Sequence, residues 1–198
     1  MQFQQGIFKG RIFVAANHSA GEPQKQFIDY RAHGFYTDDH GKTYKISQDV
    51  SIPGSKEAMA TELSGNRIMM NIRYQQGDVR ARIVSISSTG GATWDTAYID
   101  SNLPDPVCQG SLLTNGRKKS INIIAFGNAH DSKRRDNLTL RIILNEGRTW
   151  KKNYLIDKSP DGKSEFTAYS DLVNISTSEI GVLYERDNYS QITFTVIH

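Results

Sequence analysis

With 198 residues, a formal net charge of +3 and one cysteine, the chain is long enough for a sizeable core and cannot form an internal disulfide. The weak, scattered basic excess is no footprint for nucleic acid. No apolar run approaches the roughly 18 residues of a membrane span, and the opening MQFQQGIFKG has no apolar signal core.

Sixteen glycines, nine tyrosines and eight phenylalanines among short alternating apolar runs favour an all-β chain. The predicted strands come in four packets. Residues 1–50 hold GRIFVAANHS, HGFYTDD and TYKIS, and residues 51–100 hold EAMATEL, RIMMNIRY, ARIVSISS and TWDTAYI. GSLLTNG, SINIIAFGN, LTLRIIL and TWKKNYLI follow in 101–157; AYSDLVNIS, EIGVLYER and QITFTVIH close the chain in 158–198. Alternation is clearest in RIVSIS and LTLRII, as expected of strands that face a neighbouring sheet. No stretch of a dozen residues shows a helical period. SAGEPQK, SNLPDPVCQG and DKSPDGKS read as loops and none as a linker, so residues 1–198 form a single domain.

One turn motif recurs between the last two runs of the first three packets. TDDHGKTY (Thr37–Tyr44), SSTGGATW (Ser87–Trp94) and ILNEGRTW (Ile143–Trp150) approximate S/T-x-D-x-G-x-T-W, with glycines at 41, 91 and 147. The chemistry of such a turn is local. Asp39 or Asn145 accepts backbone hydrogen bonds, Gly41, Gly91 and Gly147 supply a conformation closed to other residues, and Trp94 and Trp150 pack under neighbouring strands. In the second copy Thr89 stands where the aspartate is expected. A repeat of about 50 residues predicts one sheet per repeat, so the chain makes about three and a half blades of a β-propeller. An arc of that size leaves two sheet faces uncovered and is not a whole ring.

The motif resembles the Asp box of the sialidases, which punctuates a six-bladed β-propeller in that family. Other segments match in order along essentially the whole chain. KEA at Lys56–Ala58 with MMNIR at Met69–Arg73 is similar to the family's glutamate followed sixteen residues later by an arginine at a strand end. PDPVCQGS at Pro104–Ser111 resembles a loop of bacterial members. Arg135, fifteen residues before Trp150, stands where the family keeps its last substrate-binding arginine. AYSDL at Ala168–Leu172 followed by IGVLYE at Ile180–Glu185 resembles the nucleophile strand.

The resemblance implies a retaining, bacterial-type exo-α-sialidase that removes terminal sialic acid from glycans, with no metal or cofactor. Tyr169 would be the nucleophile, Glu57 the base that takes its proton, and Arg73 and Arg135 ligands of the substrate carboxylate. That carboxylate sits on the anomeric carbon, so fork-shaped arginines suit it, and it would repel a carboxylate nucleophile, which favours a tyrosine. Glu185 would orient the family's first arginine. Glu62 competes with Glu57, and Arg134 and Arg141 with Arg135; Arg80 and Arg82 are assigned to the next strand or the solvent face. His18, His33, His40 and His130 show no metal-ligand spacing.

The F/Y-R-I-P motif that carries the first arginine, and the aspartate general acid, are not found; Arg11-Ile12-Phe13 has no proline after it. The chain therefore resembles the C-terminal half or more of the catalytic propeller, incomplete as a catalyst by itself. Its partners would be sialylated glycans, and the missing N-terminal blades or a second copy that covers the open faces. The alternative is a non-catalytic propeller module that binds glycan or protein. Export of the full-length protein, secreted or periplasmic, is implied by the resemblance alone.

Overall fold

The computed structural model describes residues 1–147, 149–150, 152–176 and 178–198, so Arg148 of the third turn motif lies outside the described residues. Its strands, in chain order, are β1 (Ile12–Ser19), β2 (Tyr30–Thr37), β3 (Lys45–Ile46), β4 (Ser55–Glu62), β5 (Ile68–Tyr74), β6 (Ala81–Ser87) and β7 (Thr96–Pro104). They continue as β8 (Ser111–Lys118), β9 (Ile121–Ala129), β10 (Leu138–Ile143), β11 (Lys152–Asp157), β12 (Thr167–Asn174), β13 (Ile180–Arg186) and β14 (Gln191–Ile197). Each strand pairs antiparallel with its sequence neighbour. The result is four meander sheets, β1-β2-β3, β4-β5-β6-β7, β8-β9-β10-β11 and β12-β13-β14. β4 packs on β1 and on β8, and β8 on β12, so the sheets follow one another as blades of a β-propeller arc.

Period-two alternation distributes the core between the sheets. Ile68, Met70, Ile72 and Ile83 point toward the first sheet and join Phe13, Tyr36 and Val50. Their neighbours Met69 and Val84 point the other way and meet Leu112, Ile124 and Phe126 of the third sheet. Ala125, Leu138 and Leu140 then meet Leu172, Val182 and Tyr184 of the fourth. Each such side chain contributes about 1.5–3 kcal/mol when fully buried, and β5 is buried at every residue because it is covered on both sides. The outermost faces differ. Val14 and Ile46 of the first sheet and Leu183, Ile192 and Phe194 of the fourth are exposed.

The turn motifs clasp one sheet to the one before it. Asp39 accepts hydrogen bonds from Thr43 N (2.9 Å) and Thr43 Oγ1 (2.7 Å). The same four-residue loop is closed by Thr89 Oγ1 from Thr93 N (2.9 Å) and by Asn145 Oδ1 from Thr149 N (3.1 Å). A threonine or asparagine oxygen thus serves where aspartate is absent. Gly91 and Gly147 hold φ of +90° and +85°, and a Cβ there would collide with Phe13 and with Met69 of the preceding sheet.

Trp94 Nε1 donates to Gln48 O (2.9 Å), in the segment that follows β3, and Trp150 Nε1 to Asp100 Oδ2 (2.8 Å), on β7 of the preceding sheet. Their rings pack edge-on against Phe13 and Phe126. Tyr44, the aromatic of the first motif, packs instead on Phe35 of its own sheet and is 59% exposed. One loop also departs from expectation. Residues 101–104 of SNLPDPVCQG extend β7, and Pro104 is tolerated because β7 is an edge strand.

Trp150→Ala should therefore lower stability by about 3 kcal/mol in chemical denaturation, whereas Tyr44→Ala should cost under about 1 kcal/mol. Equal losses would contradict the clasp.

Candidate active site

Two β-bulges on the innermost strands aim the central side chains. The β4–β5 register shifts between Ser55 and Ala58, leaving Glu57 out of the ladder, and the β12–β13 register shifts between Thr167 and Ser170, leaving Tyr169 out of it. The backbone N–H of Tyr169, released from the ladder, donates to Glu185 Oε2 (3.2 Å), and that of Ser170 to Gln109 Oε1 (3.1 Å). Arg73 lies on β5 opposite the first bulge.

The three side chains close a triangle. Tyr169 OH donates to Glu57 Oε1 (2.7 Å), across 112 residues of sequence. Arg73 Nη1 donates to Glu57 Oε2 (2.8 Å) and to Tyr169 OH (2.9 Å). Arg73 Nε is buried with no acceptor among the described residues. The Arg135 guanidinium lies 5.6 Å from the centre of the Tyr169 ring, its Nη1 donating to Tyr189 OH (3.1 Å) and Nη2 to Val107 O (3.4 Å). A cleft of about 400 Å³ lined by Tyr169, Ser170, Asp171, Glu185 and Gln109 adjoins the triangle.

Electrostatics keep the proton on the tyrosine. Burial pushes the Glu57 carboxyl up, but hydrogen bonds from Tyr169 and Arg73, with the Arg73 charge, outweigh it and hold the acid below its ordinary 4.5. Burial, then the hydrogen bond to Glu57 and its negative charge, push the Tyr169 phenol up to about 12 against the opposing Arg73 charge. At neutral pH the centre is a carboxylate accepting from a phenol, beside two guanidinium groups. Such a phenol can attack an electrophile as its proton passes to the carboxylate, and the arginines can hold an anion.

The competitors lie elsewhere. Glu62 is five residues on, at the far end of β4, where it accepts from Gln4 N (2.8 Å) and lines a cavity of about 750 Å³ with Thr61, Arg117 and Asn122. Arg141 is buried in β10, bonded to Asn128 Oδ1 (2.7 Å) and to His130, and Arg134 pairs with Asp131. Arg11 pairs with Asp38 in the first sheet (2.7 Å).

Of the two places the sequence left open for Arg82, the next strand holds and the solvent face does not: it is fully buried on β6. It donates to Asn71 Oδ1 (2.8 Å), to Asp105 Oδ1 (3.3 Å) and to the Cys108 carbonyl, fastening the 105–109 loop that presents Val107 to Arg135. Glu185, which the resemblance assigns to orienting the first arginine, stands beside Tyr169 and accepts from that tyrosine's backbone N–H. Tyr189 was not singled out from sequence. Its only signal is the Asp187-Asn188 turn, where three successive residues take positive φ.

The stacked antiparallel meanders and their turn motifs define a β-propeller arc that carries a carboxylate–phenol–guanidinium centre. A family model described as BNR repeat-like domain matches residues 2–182. The chain is 29% identical over 161 residues to a sialidase of Micromonospora viridifaciens, covering 79% of this chain and 24% of that protein. It is 31% identical over 183 residues to a sialidase of Bacteroides fragilis (strain YCH46), covering 87% and 32%. The solved structure of the Hadza microbial sialidase Hz136 superposes with a TM-score of 0.76 at 26% identity, over 94% of this chain and 35% of that one. The chain belongs to the BNR repeat-like domain family and is a sialidase-family protein. It spans about a quarter to a third of the length of the curated relatives it matches.

Glu57→Gln removes the negative charge that opposes ionisation of the phenol and weakens the hydrogen bond while burial remains, so the Tyr169 titration should move down from about 12. Tyrosine-selective NMR across alkaline pH, with Tyr169→Phe assigning the resonance, checks this. An unmoved midpoint would mean that the hydrogen bond is not formed.

Proposed function

We propose that this chain supplies the covalent half of a retaining exo-sialidase, acting on the terminal sialic acid of glycans. Tyr169 attacks the anomeric carbon as the glycosidic bond breaks and the aglycone oxygen leaves with the bonding pair, the phenol proton passing to Glu57; water then displaces Tyr169 from the tyrosyl-enzyme, releasing sialic acid and returning a proton to the phenol. The wide gap between a phenol near 12 and a carboxyl below 4.5 favours proton transfer in concert with carbon–oxygen bond formation rather than before it. Arg73 and Arg135 bind the substrate carboxylate. The observation that carries the reading is the Glu57–Tyr169–Arg73 triangle, assembled from two sheets that the third separates.

The reading assigns no general acid to these residues, so the test uses an aryl sialoside whose leaving group departs without protonation. Hydrolysis by the chain should fall at least about 10³-fold in Tyr169→Phe with thermal unfolding unchanged. Turnover retained by Tyr169→Phe would remove the nucleophile from this account. Binding of a sialic acid analogue that survives Tyr169→Phe, with no hydrolysis by wild type, would favour a binding module instead.

The pH dependence has a definite sign. Glu57 must be ionised to take the proton, and its acid is held below 4.5. The acid limb of kcat/KM should therefore lie below pH 4.5, with rate lost as pH falls through the Glu57 value. Glu57→Gln should lose activity across the whole range.

A further inference from the structure

His18, His33 and Asp49 form a second chemical cluster, on the first sheet. The β1–β2 register pairs Ala16 with His33 and His18 with Arg31, so the two histidines are diagonal neighbours on one face. Their rings lie 4.7 Å apart at 68°, with the two Nδ1 atoms 3.1 Å from each other. Asp49, in the segment leading from β3 to β4, places Oδ2 3.5 Å from His18 Nε2. One donor atom from each residue lies within 4.8 Å of the others. Two bonds of 2.0–2.1 Å at a tetrahedral zinc put their ligand atoms about 3.3 Å apart, which the two imidazole nitrogens already approach.

We propose that His18, His33 and Asp49 bind a divalent first-row metal ion, with Zn²⁺ the best match to a His₂Asp set. The surroundings agree with a three-ligand site. His18 and Asp49 are exposed, so Asp49 can rotate onto the ion and water can fill the fourth position. The ligands also join the β1–β2 pair to the segment that follows β3. Val50 N donates to Ala32 O (2.8 Å) and Gly54 N to Tyr30 O (3.0 Å), holding the 47–54 segment along β2. An ion on Asp49 would fasten that segment, and it feeds directly into Ser55 and the bulge carrying Glu57.

The test is titration of the untagged, chelator-treated chain with Zn²⁺ alone by calorimetry, and with Co²⁺ alone by visible absorption. One equivalent should bind, with the intense d–d bands of a tetrahedral cobalt centre and a rise in unfolding temperature. His18→Ala, at an exposed position that folding tolerates, and His33→Ala should each weaken binding at least 10-fold. Asp49→Asn should weaken it less, and His40→Asn, outside the cluster, should leave it unchanged. Absence of saturable binding, or binding undiminished in both His18→Ala and His33→Ala, would overturn the site.

Discussion

Every internal sheet of this chain has two apolar faces, and the structure depends on covering both. The turn motifs meet that constraint by reaching backward. Trp94 and Trp150 each spend an indole N–H on a partner in the preceding repeat, while the glycines of their turns let Phe13 and Met69 approach the backbone. The stacking this enforces is what makes a site. Glu57 and Arg73 belong to the second sheet and Tyr169 to the fourth, so their hydrogen bonds exist only while the third sheet holds the others at the right separation and tilt.

The bulges convert that scaffold into chemistry. A regular strand would send Glu57 and Tyr169 along the alternation of their neighbours; the register shifts at 55–58 and 167–170 release them from it. The cost is a stranded backbone N–H at Tyr169, which Glu185 satisfies. Burial then acts on both partners in the direction of the neutral form. For the phenol it adds to the effect of Glu57, whereas for the carboxylate the donors of Tyr169 and Arg73 prevail. The centre therefore rests with a protonated phenol beside an ionised carboxylate.

Much of the fold was legible because it is written in short-range signals: alternating runs, and turns whose oxygen acceptors and glycines sit at fixed offsets. Where a partner lay in another sheet, local pattern was silent. Tyr44 matches its motif as well as Trp94 does, yet remains exposed because no sheet of this chain lies on that side. Arg82 reads as one charge among several in RYQQGDVRAR, and only the packing of Asn71, Asp105 and the Cys108 carbonyl around it explains its burial. His18 and His33 are fifteen residues apart, a spacing that means nothing until the β1–β2 register is known. Glu57 was separable from Glu62 by its distance to Arg73 in sequence, and the physical reason is that the two glutamates occupy opposite ends of β4.

The central claim is that Tyr169 forms a bond to the anomeric carbon of a sialoside. It is tested most directly by trapping that bond, with a sialosyl donor that pairs a good leaving group with a fluorine beside the anomeric carbon. The first feature removes the need for a general acid, and the second slows hydrolysis of the adduct by destabilising its oxocarbenium-like transition state. Peptide mass mapping after acid quench should place the added mass on Tyr169, within the segment 164–186. An adduct on another residue, or a chain that turns the donor over and never carries one, would contradict the account.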